Sequence, residues 1–215
     1  MKVKFCGITR AEDAREAVRL GAWAIGLNHW SGSPRRCDPA TAAAISAELR
    51  RQIEIVGVFV NASLAEIAAA VENEQLGMVQ LHGDEGPSFC AEVARRTGAK
   101  VIKALPVHSS ADIQAAEAFR TDFHLLDAHI PGARGGTGAS FDWELARTHP
   151  PGIPLILAGG LYPGNVAVAI EIVRPHAVDV ASGTESGPGI KDHTLMAEFA
   201  ARANPALAVG GPPPP

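Results

Sequence analysis

Ile53-Glu54-Ile55-Val56-Gly57-Val58-Phe59-Val60, the helical stretch Ser63–Gln75 and the short run Met78-Val79-Gln80-Leu81 decide the fold. The first run is aliphatic and rich in β-branched residues, the pattern of a strand buried on both faces of a parallel sheet. Ser63 opens the second stretch and Glu66 follows three residues later, a capping-box pattern that starts a helix. Leu76-Gly77 reads as a helix stop, and Met78–Leu81 as a second buried strand. Strand, helix and strand within about thirty residues make a parallel βαβ unit.

Working outward, the same alternation fills the chain. Strands are expected at Val3–Cys6, Trp23–Asn28, Ile53–Val60, Met78–Leu81, Val101–Leu105, Phe123–Asp127, Pro154–Ala158 and Ala177–Val180. Helices are expected at Ala11–Leu20 with Thr9 as N-cap, at Pro39–Arg50 behind Asp38, and at Ser63–Gln75. Gly86–Arg96, Ser110–Phe119, Phe141–Thr148, Pro163–Val173 and Lys191–Arg202 complete the helices. Eight strand–helix units at about 27 residues each predict an α/β fold, a single (β/α)8 or TIM barrel. An open doubly wound sheet is the rival. It normally carries a Gly-rich dinucleotide loop after an early strand, and Cys6-Gly7-Ile8 is not one. Residues 1–205 read as one barrel domain, and residues 206–215, which end in the Gly/Pro-only run from Gly210 to Pro215, as a disordered tail.

Composition narrows the function. The chain has 215 residues, 47% hydrophobic, with 19 basic and 23 acidic side chains and a formal charge of -4. There is no basic excess or stripe to suggest nucleic acid as a partner. No apolar run approaches the length that spans a bilayer, and Met1–Cys6 does not open like a secretory signal. A cytoplasmic enzyme or binding domain is expected. Cys6, Cys37 and Cys90 are odd in number and unpaired in spacing, so a disulfide framework is not expected. His29, Cys37, His124 and His129 lack metal-ligand spacing, and no Gly-x-Ser-x-Gly elbow occurs.

In this fold the active site lies at the C-terminal strand ends. Those ends carry Cys6, Asn28 with the loop to Arg35 and Arg36, Asn61, His82, Lys103, Asp127, Gly159-Gly160 and Ser182-Gly183. The glycines of the last two units read either as tight turns or as a phosphate cradle, the latter favoured because both occur on consecutive final units. Gly132–Gly138 reads as a connector or as a loop that closes over substrate. Lys4 and Cys6 share one face of the first strand, and Phe123, Leu125 and Asp127 one face of the sixth. Facing inward, Cys6 and Asp127 look at each other across the mouth as base and acid. Taken singly, Cys6 also reads as a buried strand cysteine, Asp127 as a cap and His82 as a loop residue. An ammonium at Lys4 favours a Cys6 thiolate and burial opposes it, so a base near neutral pH is expected. Lys103 and Asp179 read as interior charges with partners.

These segments carry a family resemblance. Lys4-Phe5-Cys6-Gly7-Ile8-Thr9, Ser33-Pro34-Arg35, Gly57–Asn61, Val79–Glu85 and Leu125–Asp127 resemble phosphoribosylanthranilate isomerases. Gly135–Gly138 with Phe141–Trp143, Gly159–Leu161 with Asn165-Val166, Val178–Gly183 and Pro188–Asp192 continue the resemblance, which runs from residue 2 to about 202. It implies the conversion of N-(5'-phosphoribosyl)anthranilate to 1-(2-carboxyphenylamino)-1-deoxyribulose 5-phosphate in tryptophan biosynthesis, without cofactor or metal. It implies Cys6 as base, Asp127 as acid, Arg35 on the substrate carboxylate, His82 as a further contact, and Gly159, Gly160, Ser182 and Gly183 on the phosphate. Arg36 is adjacent to Arg35 and can exchange roles with it, and His29 either meets substrate or caps its loop. A small phosphorylated molecule is the implied partner, with the chain a monomer or homodimer. Two other readings stay open: a related sugar-phosphate isomerase of histidine biosynthesis, a group that usually carries aspartate where this chain has Cys6, and a catalytically silent phosphate-binding barrel.

Overall fold

The computed structural model describes residues 1–127 and 143–204. Eight parallel strands close into a barrel in sequence order: β1 (Lys2–Cys6), β2 (Ala24–Asn28), β3 (Glu54–Phe59), β4 (Met78–Leu81), β5 (Lys100–Pro106), β6 (Phe123–Asp127), β7 (Leu155–Ala158) and β8 (Ala177–Val180). Helices α1 (Ala11–Arg19), α2 (Pro39–Leu49), α3 (Leu64–Glu74), α4 (Pro87–Thr97), α5 (Ser110–Ala115), α6 (Trp143–Ala146), α7 (Val166–Val173) and α8 (His193–Ala203) surround it. The expected alternation is therefore found. The tail and the Gly132–Gly138 loop lie outside the described residues. Among the described residues no helix is long and apolar enough to cross a membrane.

The period-two geometry of strands divides the apolar residues into two sets. Ala24, Val56, Met78, Ile102, Ala104, Phe123, Leu125, Ile156, Ala158 and Ala177 form a cluster inside the barrel. The alternate residues, among them Val3, Phe5, Ile25, Leu27, Ile55, Val79, Leu81, Leu126, Leu157 and Val178, pack against the helices in a larger outer core. Burying each large side chain contributes roughly 1.5–3 kcal/mol.

The interior also holds charge. Lys4 is wholly buried, and its Nζ donates to Asp179 Oδ1 at 2.8 Å. The two residues are register partners on neighbouring strands, so the pair needs no long reach. Lys103 Nζ pairs with Glu85 Oε2 at 2.9 Å and donates to Gly83 O at 2.6 Å. Both interior charges thus have partners, as expected. Lys103 belongs to the outward parity of β5, however, and is not at the mouth where its strand-end position suggested.

Helix starts follow their caps. Asp38 accepts from the N–H groups of Ala40 and Thr41, and Ser63 with Glu66 completes its capping box. One cap and two starts differ from the sequence reading. Helix α1 is preceded by Arg10 and not capped by Thr9, whose hydroxyl instead donates to Gly189 O. Helix α7 begins at Val166 because residues 162–165 form a turn in which Tyr162 O accepts from the Asn165 and Val166 N–H groups. Helix α8 begins at His193, because Lys191 belongs to an unexpected hairpin of β9 (Glu185–Gly187) and β10 (Ile190–Lys191). Helix α5 is shorter than expected, ending at Ala115 before a 3-10 turn over Ala116–Ala118.

Candidate active site

Cys6 is the last residue of β1 and shares the inward parity of Lys4. Its register partner on β2 is Gly26. A Cβ at Gly26 would stand 2.8 Å from Cys6 Sγ and 3.1 Å from Lys4 Nζ, so the missing side chain is the space the sulfur occupies. Burial pushes the thiol above its ordinary range, and Asp179 adds to this, while Lys4 and Lys191 pull it down. Burial prevails. Asp179, paired with Lys4 at 2.8 Å, opposes the ammonium field at the sulfur. Burial thus opposes the ionisation that the Lys4 ammonium favours. The ordinary roles of the other thiols are clear, since Cys37 and Cys90 are free and buried, and burial raises Cys37 to about 12.

Asp127 ends β6 at the parity of Leu125 and Phe123, both in the inner cluster. It therefore faces the same mouth as Cys6, three strands away around the closed ring. His82, just past β4, places Nε2 3.2 Å from Asp127 Oδ2. Its Nδ1 lies 2.8 Å from Gln80 Nε2. With the amide oriented in this way, Nδ1 accepts from Gln80 and the ring proton sits on Nε2, directed at Asp127. Gln80 is fully buried, and its Oε1 has no hydrogen-bond partner among the described residues.

The loop after β2 brings in a cation. Asn28 Nδ2 donates to Ser33 Oγ and Asn28 Oδ1 accepts from the Trp30 N–H, which ties the loop back on its strand. Ser33 Oγ in turn accepts from the Arg35 N–H. The Arg35 stem then lies across Gly7, whose φ of 77° suits glycine and where a Cβ would stand 2.7 Å from Arg35 Cδ. Arg35 reaches Glu185 with Nε at 2.9 Å from Oε1 and Nη2 at 2.8 Å from Oε2. Arg36 is exposed and its backbone bridges Asn28. His29 is turned away from the mouth: it stacks on Phe59 at 4.6 Å, with Nε2 3.2 Å from Glu74 Oε2. That position matches neither a substrate contact nor a loop cap.

The last two loops meet backbone to backbone. Gly159 and Gly160 both have positive φ, 86° and 63°. Asn165 Nδ2 donates to Gly160 O and Asn165 Oδ1 accepts from the Tyr162 N–H, bracing the turn that leads into α7. Ser182 and Gly183 lie in a 3-10 turn after β8. A Cβ at Gly183 would stand 1.9 Å from Leu161 O, so only glycine lets the two loops come this close. Such a cradle of amides beside a helix start is suited to an anion.

The residues singled out in the sequence thus gather at one mouth: Cys6, Asp127, His82, Arg35 and the paired glycine loops. Sequence reading missed Gly26, Gln80, Glu185 and Lys191. Gln80 did carry a signal, a polar residue two positions before His82 in an otherwise apolar strand. Glu185 carried none, since its partner stands 150 positions earlier. Among the described residues, no group of three His, Cys, Asp or Glu side chains is arranged to hold a metal.

Comparison with known proteins shows the family. The family model for N-(5'-phosphoribosyl)anthranilate (PRA) isomerase matches residues 3–202. A curated N-(5'-phosphoribosyl)anthranilate isomerase of Geobacter metallireducens is 45% identical over 203 residues, covering 94% of this chain and 98% of the relative. The crystal structure of phosphoribosyl anthranilate isomerase from Thermotoga maritima superposes with a TM-score of 0.89 at 42% identity, covering 95% of this chain and 99% of that one. A second isomerase structure, in complex with reduced 1-(o-carboxyphenylamino)-1-deoxyribulose 5-phosphate, gives a TM-score of 0.84 at 40% identity, covering 95% and 99%. From its barrel, its mouth and these likenesses together, the chain belongs to the N-(5'-phosphoribosyl)anthranilate isomerase family.

Proposed function

We propose that the chain converts N-(5'-phosphoribosyl)anthranilate to 1-(2-carboxyphenylamino)-1-deoxyribulose 5-phosphate, a step of L-tryptophan biosynthesis, by general acid–base catalysis. The observation that carries this reading is a thiol and a carboxylate, Cys6 and Asp127, at inward-facing strand ends of one barrel mouth. Arg35 beside them supports it, a cation for the anthranilate carboxylate. The amides of Gly159, Gly160, Ser182 and Gly183 take the phosphate. Fixing both anionic ends sets the reacting carbons between acid and base.

Asp127 gives a proton to the ribose ring oxygen as the C1–O bond breaks, and the anilino nitrogen lone pair forms the iminium. His82 Nε2, 3.2 Å from the aspartate, shares the negative charge left behind. Cys6 then removes the proton from C2, giving the enolamine. Protonation at C1 and loss of the C2 hydroxyl proton yield the ketone. Burial raises the Cys6 thiol and so opposes its ionisation. The positive iminium beside it favours the thiolate, and the proton that Cys6 gives up passes to the Asp127 carboxylate left ionised by the first step, so the base forms once the ring has opened. The scheme moves only protons and requires neither cofactor nor metal. We place the enzyme in the cytoplasm, as a monomer or homodimer acting on a small phosphorylated molecule.

The test is loss of the fluorescence of the anthranilate adduct on adding the folded protein. Turnover is expected, and Cys6→Ala and Asp127→Asn are each expected to lower kcat by at least about 100-fold. An inert folded protein would overturn the activity, and wild-type turnover in either variant would overturn that residue's role.

A further inference from the structure

We propose that Glu185 is a positioning residue that turns Arg35 toward the carboxylate of the substrate. This inference rests on the isomerase reading above. A guanidinium offers two parallel-donor edges, one from Nε and Nη2 and one from Nη1 and Nη2. Glu185 occupies the first edge from both of its oxygens, with contacts of 2.9, 3.0 and 2.8 Å. Nη1 makes no hydrogen bond among the described residues, so the second edge is available for a planar carboxylate. Arg35 is one-quarter exposed while Glu185 is 4% exposed, which places the free edge on the open side and the held edge inside.

The charge arrangement agrees. Glu185 Oε1 also lies 3.2 Å from Lys191 Nζ, which is anchored by donating to Ala181 O at 2.8 Å. Two cations share one carboxylate, and the trio keeps a net positive charge with which to meet an anion. The hairpin that carries Glu185 and Lys191 is itself pinned: the Lys191 N–H donates to buried Asp13, and Thr9 donates to Gly189 O. The grip on Arg35 is therefore built on rigid backbone, as an orienting contact needs to be. It also separates the two adjacent arginines, since Arg36 has no comparable holder among the described residues.

The experiment measures Kd for two ligands by titration calorimetry, the reduced product analogue and its counterpart lacking the ring carboxylate. Wild type is expected to prefer the first. Glu185→Gln is expected to weaken binding of the carboxylate-bearing ligand by about 10- to 100-fold and to leave the carboxylate-free ligand within about threefold, with KM rising more than kcat falls. Glu185→Asp, gentler on folding, keeps the charge but shortens the reach and is expected to shift the same ligand in the same direction. If wild type discriminates and both variants keep that discrimination, the inference falls while the isomerase reading stands. Tighter binding of the first ligand by Glu185→Gln would also overturn it, by making Glu185 a competitor for Arg35. If wild type binds neither ligand, or both equally, the carboxylate role of Arg35 fails and the inference fails with it.

Discussion

Gly183→Ala tests the cradle formed by the last two loops. The added Cβ would stand 1.9 Å from Leu161 O, 2.9 Å from Leu161 C and 3.0 Å from Tyr162 Cα. All three atoms are backbone, so no rotamer relieves the clash. Reaching ordinary contact requires the loops after β7 and β8 to part by about 1.5 Å. Leu161 is itself buried at 3% exposure, which resists the movement from one side. The strain amounts to about 1–3 kcal/mol, or a fall in Tm of roughly 2–12 °C for a chain of this size. The larger effect falls on binding. A displacement of about 1 Å at a positioned group costs about 100-fold, so Kd for the reduced product analogue is expected to rise by that order. Gly98→Ala is the control: it has a φ of 69°, open space around it and a place at the C-terminal cap of α4. It should lower Tm and leave Kd unchanged. A folded Gly183→Ala protein with wild-type affinity would refute the assignment of these loops to the phosphate.

Gly26→Ala places a methyl against Cys6 Sγ and forces the sulfur into another rotamer. Its kcat is expected to fall by 10- to 100-fold, on the order of a misplaced catalytic group, with little change in KM, and steady-state kinetics decide it. Burial holds the Cys6 thiol above the ordinary range, so its ionisation is shifted toward alkali. Alkylation by iodoacetamide is therefore expected to be slow at pH 7 and to climb steadily past pH 9, and a plateau already reached at pH 7 would contradict this. Arg35→Lys is expected to raise KM by about 10-fold or more, since an ammonium cannot replace the fork, whereas Arg36→Lys should be neutral. The reverse result would transfer the carboxylate to Arg36.

Much of this was legible in the chain. The capping box Ser63/Glu66, the Asp38 cap and the β-branched runs are local signals, and helices α2 and α3 and the eight strands formed where these signals placed them. Strand alternation alone put Cys6 with Lys4 and Asp127 with Leu125, because the side-chain period of a strand is fixed by its backbone. Closure of the barrel then follows from eight such units in order. The tertiary structure decided what depends on distant partners. It raised the Cys6 thiol, chiefly by burial and further through Asp179, brought alongside Lys4 from 175 positions away. It ordered the two arginines, because only Arg35 meets Glu185. It sent His29 to Phe59 and Lys103 to Glu85, both away from the mouth. Periodicity belongs to the backbone and is written residue by residue. Electrostatic partnership and steric room arise only when closure sets the first strand beside the last.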